Sequence, residues 1–342
     1  MSVLSTDQRS SKQQRILQKI ADGKFHSGEK LASLLRVSRS AVWKLVHSLR
    51  ELGVEVQAVP RQGYRLPHAV DLYDKAAILD GLPKALRSRI EVIDVLLQVD
   101  STNRHLVSQP SPEVAHARVC VAELQSKGRG RRGRTWVAPF GSGICLSLSW
   151  KFAESPPALS ALGLAVGVAL LRALDRLGAT QVGLKWPNDL VWKGRKLAGI
   201  LIEVAGESTG PIRVVIGVGL NVHMPAKARI ELAEQQAALI ADLGEILQSQ
   251  LPDRNTLVAT LVDELVAALD EFSAKGFSAF VEEWRTRDAL ANAPVRVQAG
   301  SETVMGIAQG VTDAGALLVD VRGASREFFS AEVSVRVAGG QG

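Results

Sequence analysis

Residues 128–134, Gly-Arg-Gly-Arg-Arg-Gly-Arg, have the clearest chemical character in the chain. Glycine lets backbone N–H groups approach a ligand closely, and the planar arginine guanidinium offers paired donors that match a carboxylate or a phosphate. The pattern therefore predicts a loop that binds an anion. The segment lies between two predicted strands, and Trp136 follows two residues after its last arginine.

Two further motifs follow, Lys-Trp-Pro-Asn-Asp at residues 185–189 and Arg-Lys-Leu-Ala-Gly-Ile at residues 195–200. Each motif has an ordinary explanation when taken alone. Glycine and arginine also form RNA-binding tracts or flexible loops, Pro187-Asn188 favours a simple turn, and Lys196 could be a solvated hairpin lysine. An RNA-binding tract conflicts with the context, because this tract is single, short and flanked by strands. The joint occurrence of the three motifs favours an anion site.

The composition is that of a soluble globular protein, with 342 residues, 46% hydrophobic and 22% charged. This length suits two or three domains. Cys120 and Cys145 match no metal or redox spacing, so we expect buried thiols in a reducing compartment. The N-terminus lacks the apolar core of a signal peptide, and the longest apolar run, residues 161–171, is too short to span a bilayer. We expect a cytoplasmic protein with no membrane partner.

Residues 1–67 hold 12 Lys and Arg against 5 Asp and Glu, whereas the remainder is nearly neutral. Apolar spacing predicts three helices here, the second and third capped by Ser27 and Ser38, and then a small hairpin that turns at residues 60–63. Together these elements predict a winged helix-turn-helix that binds DNA. The expected DNA contacts are Ser38, Arg39, Ser40, Trp43 and Lys44 of the third helix and Arg61 and Arg65 of the wing. The alternatives are a helical domain that binds a protein or nothing, and a Trp43 that packs inward.

Alternating strands and helices predict an α+β central domain, whose mixed sheet is backed by an apolar helix at 160–177 and by helical regions near 229–248 and 254–289. Ser101 is a plausible cap of a helix that follows the strand at 92–99. Five short strands between residues 295 and 337 predict a small SH3-like barrel. The predicted domains are residues 1–67, 68–290 and 291–342.

The chain resembles the bifunctional biotin–protein ligases that also act as biotin-operon repressors. The matching elements, in chain order, are the winged helix ending at 61–66, Asp-Ser-Thr-Asn at 100–103, the loop at 128–134 with Trp136, residues 185–189, residues 195–203, Gly-Val-Gly-Leu-Asn at 217–221, and Gly-Ala-Leu-Leu at 315–318. They extend over roughly residues 12–338. The resemblance implies a multidomain α+β fold in which a class II synthetase-like mixed sheet lies between a winged helix-turn-helix and an SH3-like barrel.

The resemblance also implies a two-step reaction. Biotin and MgATP give biotinyl-5′-AMP, and a lysine of the biotin carboxyl carrier protein of acetyl-CoA carboxylase then takes the biotinyl group. Further implied partners are palindromic operator DNA, with biotinyl-5′-AMP as corepressor, and a second copy of the chain in a homodimer that forms when the adenylate binds. The chemistry requires fixed cations where negative charge spreads at phosphorus.

Roles follow residue by residue from the same resemblance. Ser101, Thr102, Asn103 and Gln125 would contact the biotin ureido ring, and Trp136 would form an apolar wall. Arg129, Gly130 and Arg131 would close over the biotin carboxylate and the adenylate, and Lys196 would bridge that carboxylate and the α-phosphate. Lys185, Asn188 and Asn221 would meet the nucleotide. Asp189 would hold Mg²⁺ or accept a proton from the incoming lysine, so Lys196, Arg131 and Asp189 form the expected catalytic set.

Ser126-Lys127 is a small departure, since a small residue is commoner in the family before the first glycine of this loop. Three other functions compete with this one. A lipoate–protein ligase would share the chemistry, but the loop, residues 185–189 and the winged helix favour biotin. A repressor that senses biotin without catalysis would not need Arg131, Lys196 and Asp189. A ligase that no longer regulates transcription would not need the basic N-terminal domain.

Overall fold

The computed structural model describes residues 6–156, 158–205, 211–236, 239–329 and 333–337. The N-terminal part contains α1 (Thr6–Ile20), α2 (Gly28–Leu35), α3 (Arg39–Glu51), β1 (Gln57–Val59) and β2 (Gly63–Arg65). Ser27 and Ser38 cap α2 and α3 by accepting hydrogen bonds from the backbone N–H groups of Lys30 and Ala41, as predicted. The two strands form the predicted antiparallel hairpin.

The central part is built on one seven-stranded sheet. Its strands are β3 (Ile90–Val99), β4 (Ala117–Gln125), β5 (Gly143–Phe152), β6 (Gly183–Lys185), β7 (Asp189–Trp192), β8 (Arg195–Ala205) and β9 (Ile212–Asn221). They are arranged in the order β3-β4-β5-β9-β8-β7-β6. Only β3 and β4 of this sheet run parallel to each other, and the other neighbours are antiparallel. The mixed sheet predicted from the alternating pattern is therefore confirmed.

Helices surround this sheet. They are α4 (Lys75–Gly81), α5 (Lys84–Arg87), α6 (Thr102–Ser108), α7 (Leu162–Arg176), α8 (Ala226–Gln236), α9 (Leu243–Leu247), α10 (Arg254–Lys275) and α11 (Val281–Thr286). α7 is buried on most of its surface, as its apolar composition predicts. The predicted helical region near 229–248 divides into α8 and α9, because residues 239–241 pair instead with the backbone of Lys196. Short 3-10 turns lie at Arg131–Gly133, Leu159–Ala161, Gln248–Gln250 and Gly276–Ala279.

The C-terminal part is a five-stranded antiparallel sheet of β10 (Pro294–Ala299), β11 (Glu302–Val311), β12 (Leu317–Val321), β13 (Ala324–Phe328) and β14 (Val333–Val337). Trp186 is buried and donates its indole N–H to the backbone oxygen of Gly315 over 3.2 Å. This bond joins residues 185–189 of the central part to the C-terminal part. Within the described residues, no helix is both long and apolar enough to cross a membrane.

The segment that follows the N-terminal hairpin is held against the central sheet by a buried cluster. Arg254 donates to Glu123 over 2.7 Å and to the backbone oxygen of Gly143 over 2.9 Å. Its guanidinium lies 4.0 Å from the centre of the Tyr73 ring, and the Tyr73 N–H donates to Glu123. Because Arg254 pairs with Glu123 and each of them also bonds to the backbone, the cluster avoids the cost of an isolated buried charge.

Candidate active site

The centre of the site is a trough of small residues that crosses three neighbouring strands. Cys145 on β5 pairs with Gly219 on β9, and Gly219 pairs with Gly199 on β8. One step along, Ser147 on β5 pairs with Gly217 on β9. Residues at these positions point to one face of the sheet, and glycine leaves that face open where a larger side chain would fill it.

Two side chains use the space that the glycines leave. A Cβ atom added to Gly219 would lie 2.2 Å from Cε2 of Trp136, so the Trp136 ring rests directly on this glycine. A Cβ atom added to Gly217 would lie 2.4 Å from Oδ1 of Asn103. These contacts explain why residues 217–219 read Gly-Val-Gly: the glycines admit an aromatic wall and a polar side chain to the same face.

Polar side chains converge at the Asn103 end of the trough, where α6 begins. Gln125 Oε1 accepts the backbone N–H of Thr102 over 2.8 Å, and the Thr102 hydroxyl lies 3.1 Å from the same atom. The Ser147 hydroxyl donates to Asn103 Oδ1 over 2.6 Å and lies 2.7 Å from the Thr102 hydroxyl. Ser101 is 3% exposed at the N-cap position, but its side chain makes no capping bond. The structure thus brings together the four residues predicted to meet the ureido ring.

Charged groups gather near the opposite end, where β7 meets β8. Lys196 Nζ lies 2.7 Å from Asp189 Oδ1 and 5.7 Å from the centre of the Trp136 ring. Asn188 accepts from Arg131 over 3.4 Å and donates its own side-chain N–H to the backbone oxygen of Ile200 over 2.8 Å. Lys196, Asp189, Arg131 and Asn188 are therefore neighbours, as the sequence predicts. Lys185 is half-buried and pairs with Asp189 across β6 and β7.

The glycine-arginine loop, residues 128–134, closes on itself as a narrow turn beside the trough. The Trp136 N–H donates to the oxygen of Gly128, and the Gly130 N–H donates to the oxygen of Arg134. Two of its four arginines, Arg129 and Arg131, point to different ends of the trough. Arg131 reaches Asn188, whereas Arg129 donates to Glu203 Oε1 over 2.7 Å beside Asn103. In this geometry only Arg131 lies with Lys196, and Arg129 lies with the polar cluster.

Burial lowers the pKa of the Arg131 guanidinium, and the nearby carboxylate of Asp189 opposes that shift. Arginine remains protonated at neutral pH in any case, so this end of the trough keeps two fixed cations, Arg131 and Lys196. Burial likewise raises the pKa of the Cys145 thiol to about 12, which makes it a neutral part of the trough floor. Both cysteines are buried and unpaired, as predicted.

Asn221, which was predicted to meet the nucleotide, is 3% exposed. Its side-chain N–H group donates to the backbone oxygens of Lys196 over 3.3 Å and Ala241 over 3.0 Å. The Lys196 N–H also donates to Leu239, and the Ala241 N–H donates to Lys196. In this structure the Asn221 amide therefore holds the backbone that carries Lys196.

Magnesium usually binds through one or two carboxylates together with substrate phosphates. Among the described residues, no group of three His, Cys, Asp or Glu side chains could hold a metal ion by itself. Asp189 supplies a single carboxylate beside Lys196. This donor set suits a magnesium ion that arrives with a triphosphate.

Sequence reasoning missed Ser147 and Glu203, which link the predicted residues to one another. Ser147 is fully buried in β5, where Ile, Leu and Trp alternate with Cys145, Ser147 and Ser149, and Glu203 ends the run 195–203. A serine or a glutamate within a buried strand is a usable signal, because a polar group there needs a partner. Which partner it finds depends on strand register.

The expected DNA contacts lie on the N-terminal surface. Six of them are exposed: Ser38, Arg39, Ser40, Trp43, Lys44 and Arg61. Trp43 is 56% exposed and stacks on His47 with ring centres 5.4 Å apart, so it does not pack into the core. Arg65 is half-buried, donates to Gln57 over 2.8 Å and covers the Phe25 ring, so it is partly committed within the wing.

Comparisons with known proteins match all three parts of the chain. A model of the biotin/lipoate A/B protein ligase family matches residues 95–221, an HTH domain model matches residues 12–65, and a model of the biotin protein ligase C-terminal domain matches residues 292–336. A structure of the biotin protein ligase from Aquifex aeolicus in complex with biotin and ATP aligns with a TM-score of 0.60 and 24% identity. It covers 73% of this chain and 100% of that one, and at this identity the likeness shows the fold.

Similar sequences span nearly the whole chain. The bifunctional ligase/repressor BirA of Escherichia coli strain K12 is 37% identical over 324 residues, which cover 95% of this chain and 97% of the relative. The biotin–[acetyl-CoA-carboxylase] ligase of Mycobacterium tuberculosis is 36% identical over 237 residues, or 68% of this chain and 84% of the relative. The helix-turn-helix, the mixed sheet and the C-terminal antiparallel sheet each match a family model, in that order along the chain. The chain belongs to the family of bifunctional biotin ligase/repressors.

Proposed function

We propose that this protein is an ATP-dependent biotin–protein ligase that also represses transcription. It forms biotinyl-5′-AMP from biotin and MgATP and transfers the biotinyl group to a lysine of the biotin carboxyl carrier protein of acetyl-CoA carboxylase. One observation carries the ligase assignment beyond family membership. The Thr102–Asn103 end of the trough has hydrogen-bonding groups and an Arg129–Glu203 pair whose charges balance, whereas two cations, Arg131 and Lys196, share one carboxylate, Asp189, near the other end. A ligand with a polar ring and a carboxylate tail matches this asymmetry.

The residues account for the first step as follows. Gln125, Thr102 and Asn103 bind and orient the ring, while Trp136 and the glycines exclude water along the aliphatic tail. Lys196 Nζ leaves Asp189 and contacts the biotin carboxylate and the α-phosphate. Its positive charge there stabilises the negative charge that develops at phosphorus. Arg131 holds the same anions from the loop. Asp189 would hold a magnesium ion, which would supply positive charge against the triphosphate.

In the second step the target lysine must lose a proton before it attacks the activated carboxyl. Asp189 lies within reach of the same region and is the carboxylate that could accept that proton. An Asp189→Asn variant separates the two roles. Loss of pyrophosphate exchange indicates a metal ligand, whereas slow transfer from preformed biotinyl-5′-AMP indicates a base.

The test of the ligase is transfer of radiolabelled biotin to a carrier domain by the purified protein with MgATP. We expect label on the carrier lysine that requires ATP and disappears with Lys196→Ala. Tight biotin binding without transfer would indicate a sensing repressor, and the absence of biotin binding would exclude the ligase.

We propose that the repressor acts as a cytoplasmic homodimer, which biotinyl-5′-AMP assembles on palindromic operator DNA, since paired half-sites require a twofold protein. Residues 1–67, 68–290 and 291–342 are its proposed domains. Gel shifts with a palindromic operator should require both biotin and ATP, and Arg39→Ala/Lys44→Ala should weaken the shift at least tenfold. Lys75→Ala/Lys84→Ala, which removes the same charge from α4 and α5, should not. A gel shift of equal strength without biotin and ATP would contradict this proposal.

A further inference from the structure

Glu203 joins two parts of the site that are far apart in the chain. One carboxylate oxygen accepts from Arg129 in the glycine-arginine loop over 2.7 Å. The other accepts from the Asn103 side-chain N–H over 2.9 Å. These partners lie 74 and 100 residues from Glu203 in sequence. A single side chain on β8 therefore links the loop to the polar end of the trough.

The Asn103 side of this link is rigid. Asn103 is 3% exposed, its Oδ1 accepts from Ser147, and its Nδ2 also lies 3.3 Å from the backbone oxygen of Leu201. The Asn103 side chain fills the space above Gly217, where an added Cβ atom would lie 2.4 Å from its Oδ1. Glu203 is consequently anchored at one oxygen to a buried side chain that several hydrogen bonds hold in place.

The Arg129 side of this link is exposed. The Arg129 side chain is 50% exposed, compared with 25% for Glu203, and it belongs to a loop with glycine on both sides. The loop pairs with itself through backbone hydrogen bonds at Gly128 and Gly130. The Arg129–Glu203 ion pair fastens it at the polar end, while Arg131 and Asn188 meet near the Lys196 end.

We infer that Glu203 is a positioning residue that latches the glycine-arginine loop over the ring end of bound biotin. This inference rests on the proposed ligase function. The latch retains the ring but does not touch the nucleotide. Weakening it should therefore speed the dissociation of biotin and raise its KM, and should leave the KM for ATP unchanged.

The test compares Glu203→Gln with the wild type in the full-length protein. Glu203→Gln keeps an acceptor for Asn103 but removes the charge that attracts Arg129. We expect radiolabelled biotin to dissociate about tenfold faster during a chase with unlabelled biotin (roughly 1.4 kcal/mol), with a matching rise in the KM for biotin. The KM for ATP and kcat should stay within twofold. Glu302→Gln breaks the exposed Arg326–Glu302 pair of the C-terminal sheet and is the matched control.

A double-variant cycle separates a latch from general damage to the fold. Arg129→Gln alone should speed dissociation at least as much as Glu203→Gln, and adding Glu203→Gln to it should have little further effect, because the ion pair is already broken. Unchanged dissociation in Glu203→Gln, an additive double variant, or an equal rise in the KM for ATP would each overturn the latch. A wild-type protein that binds no biotin would overturn the ligase proposal itself, and the latch with it.

Discussion

Substitution of Gly219 by alanine probes whether Trp136 must rest on the trough floor. The added Cβ atom would lie 2.2 Å from the indole, well inside the 3.4 Å at which ordinary contact begins. Gly219 lies on β9, which is held by β5 on one side and β8 on the other, so its backbone cannot retreat. Trp136 lies just after a loop and is the partner that must move. We therefore expect the cost to appear in ligand binding more than in stability.

Overpacking typically costs about 1–3 kcal/mol, and the same cost taken from binding weakens it by roughly 5- to 150-fold. We expect the KM for biotin to rise within that range, with a fall of only a few degrees in Tm. Gly163→Ala is the matched control, because its Cβ atom meets nothing closer than 3.9 Å at the start of α7.

The assay is steady-state biotin transfer, with thermal unfolding of the same samples. In a Trp136→Ala background the further change to Gly219→Ala should have little effect, since the clashing ring is gone. A biotin KM within twofold of wild type for Gly219→Ala would refute the reasoning. So would an equal effect of Gly219→Ala with and without the Trp136 ring.

Three further predictions concern single residues. Lys196→Ala should reduce biotin-dependent pyrophosphate exchange by at least a hundredfold with an unchanged circular dichroism spectrum, because one preorganised cation contributes several kcal/mol at such a site; near-normal exchange would refute its role. Arg131→Gly should release biotinyl-5′-AMP early, so that bystander proteins are labelled on lysine, and labelling confined to the carrier would contradict this. Burial raises the pKa of the Asp288 carboxyl to about 6, so the native state holds its proton more tightly than the unfolded state. This group therefore destabilises the fold increasingly as pH rises from about 4 through 6. Asp288→Asn should raise the free energy of unfolding above pH 6 by at most about 3 kcal/mol and leave it unchanged near pH 3, and equal effects in denaturant titrations at both pH values would exclude this explanation.

Much of the fold could be predicted from local signals. Ser27 and Ser38 begin helices because a serine oxygen accepts an N–H two or three residues ahead, which depends only on neighbouring residues. Lys193 and Gly194 both adopt positive φ in the turn between β7 and β8, a kind of two-residue hairpin turn in which glycine is common. The buried α7 follows from its composition. Each of these features involves interactions within one turn or one strand.

The break in the predicted helical region near 229–248 could not be predicted from local signals. Its apolar and polar residues are compatible with helix throughout, yet residues 239–241 leave the helix to pair with Lys196. Here the backbone of residues 239–241 bonds to a strand residue that lies 43 or more residues away in sequence. Local propensity carries no information about that competition.

The sequence by itself determined which residue types are present to do the chemistry. The alternation of glycine and arginine, the Lys-Trp-Pro-Asn-Asp motif and the basic winged helix specify an anion site and a nucleic-acid surface through side-chain charge and backbone freedom alone. Only the tertiary structure decided which of these groups contact one another. Strand register set Gly219 beneath Trp136, turned Asn221 toward the backbone of Lys196, and directed Arg129 to Glu203 and Arg131 to Asn188. Hydrogen bonds and close contacts act over about 3 Å, and which atoms come within that distance depends on how the whole chain packs.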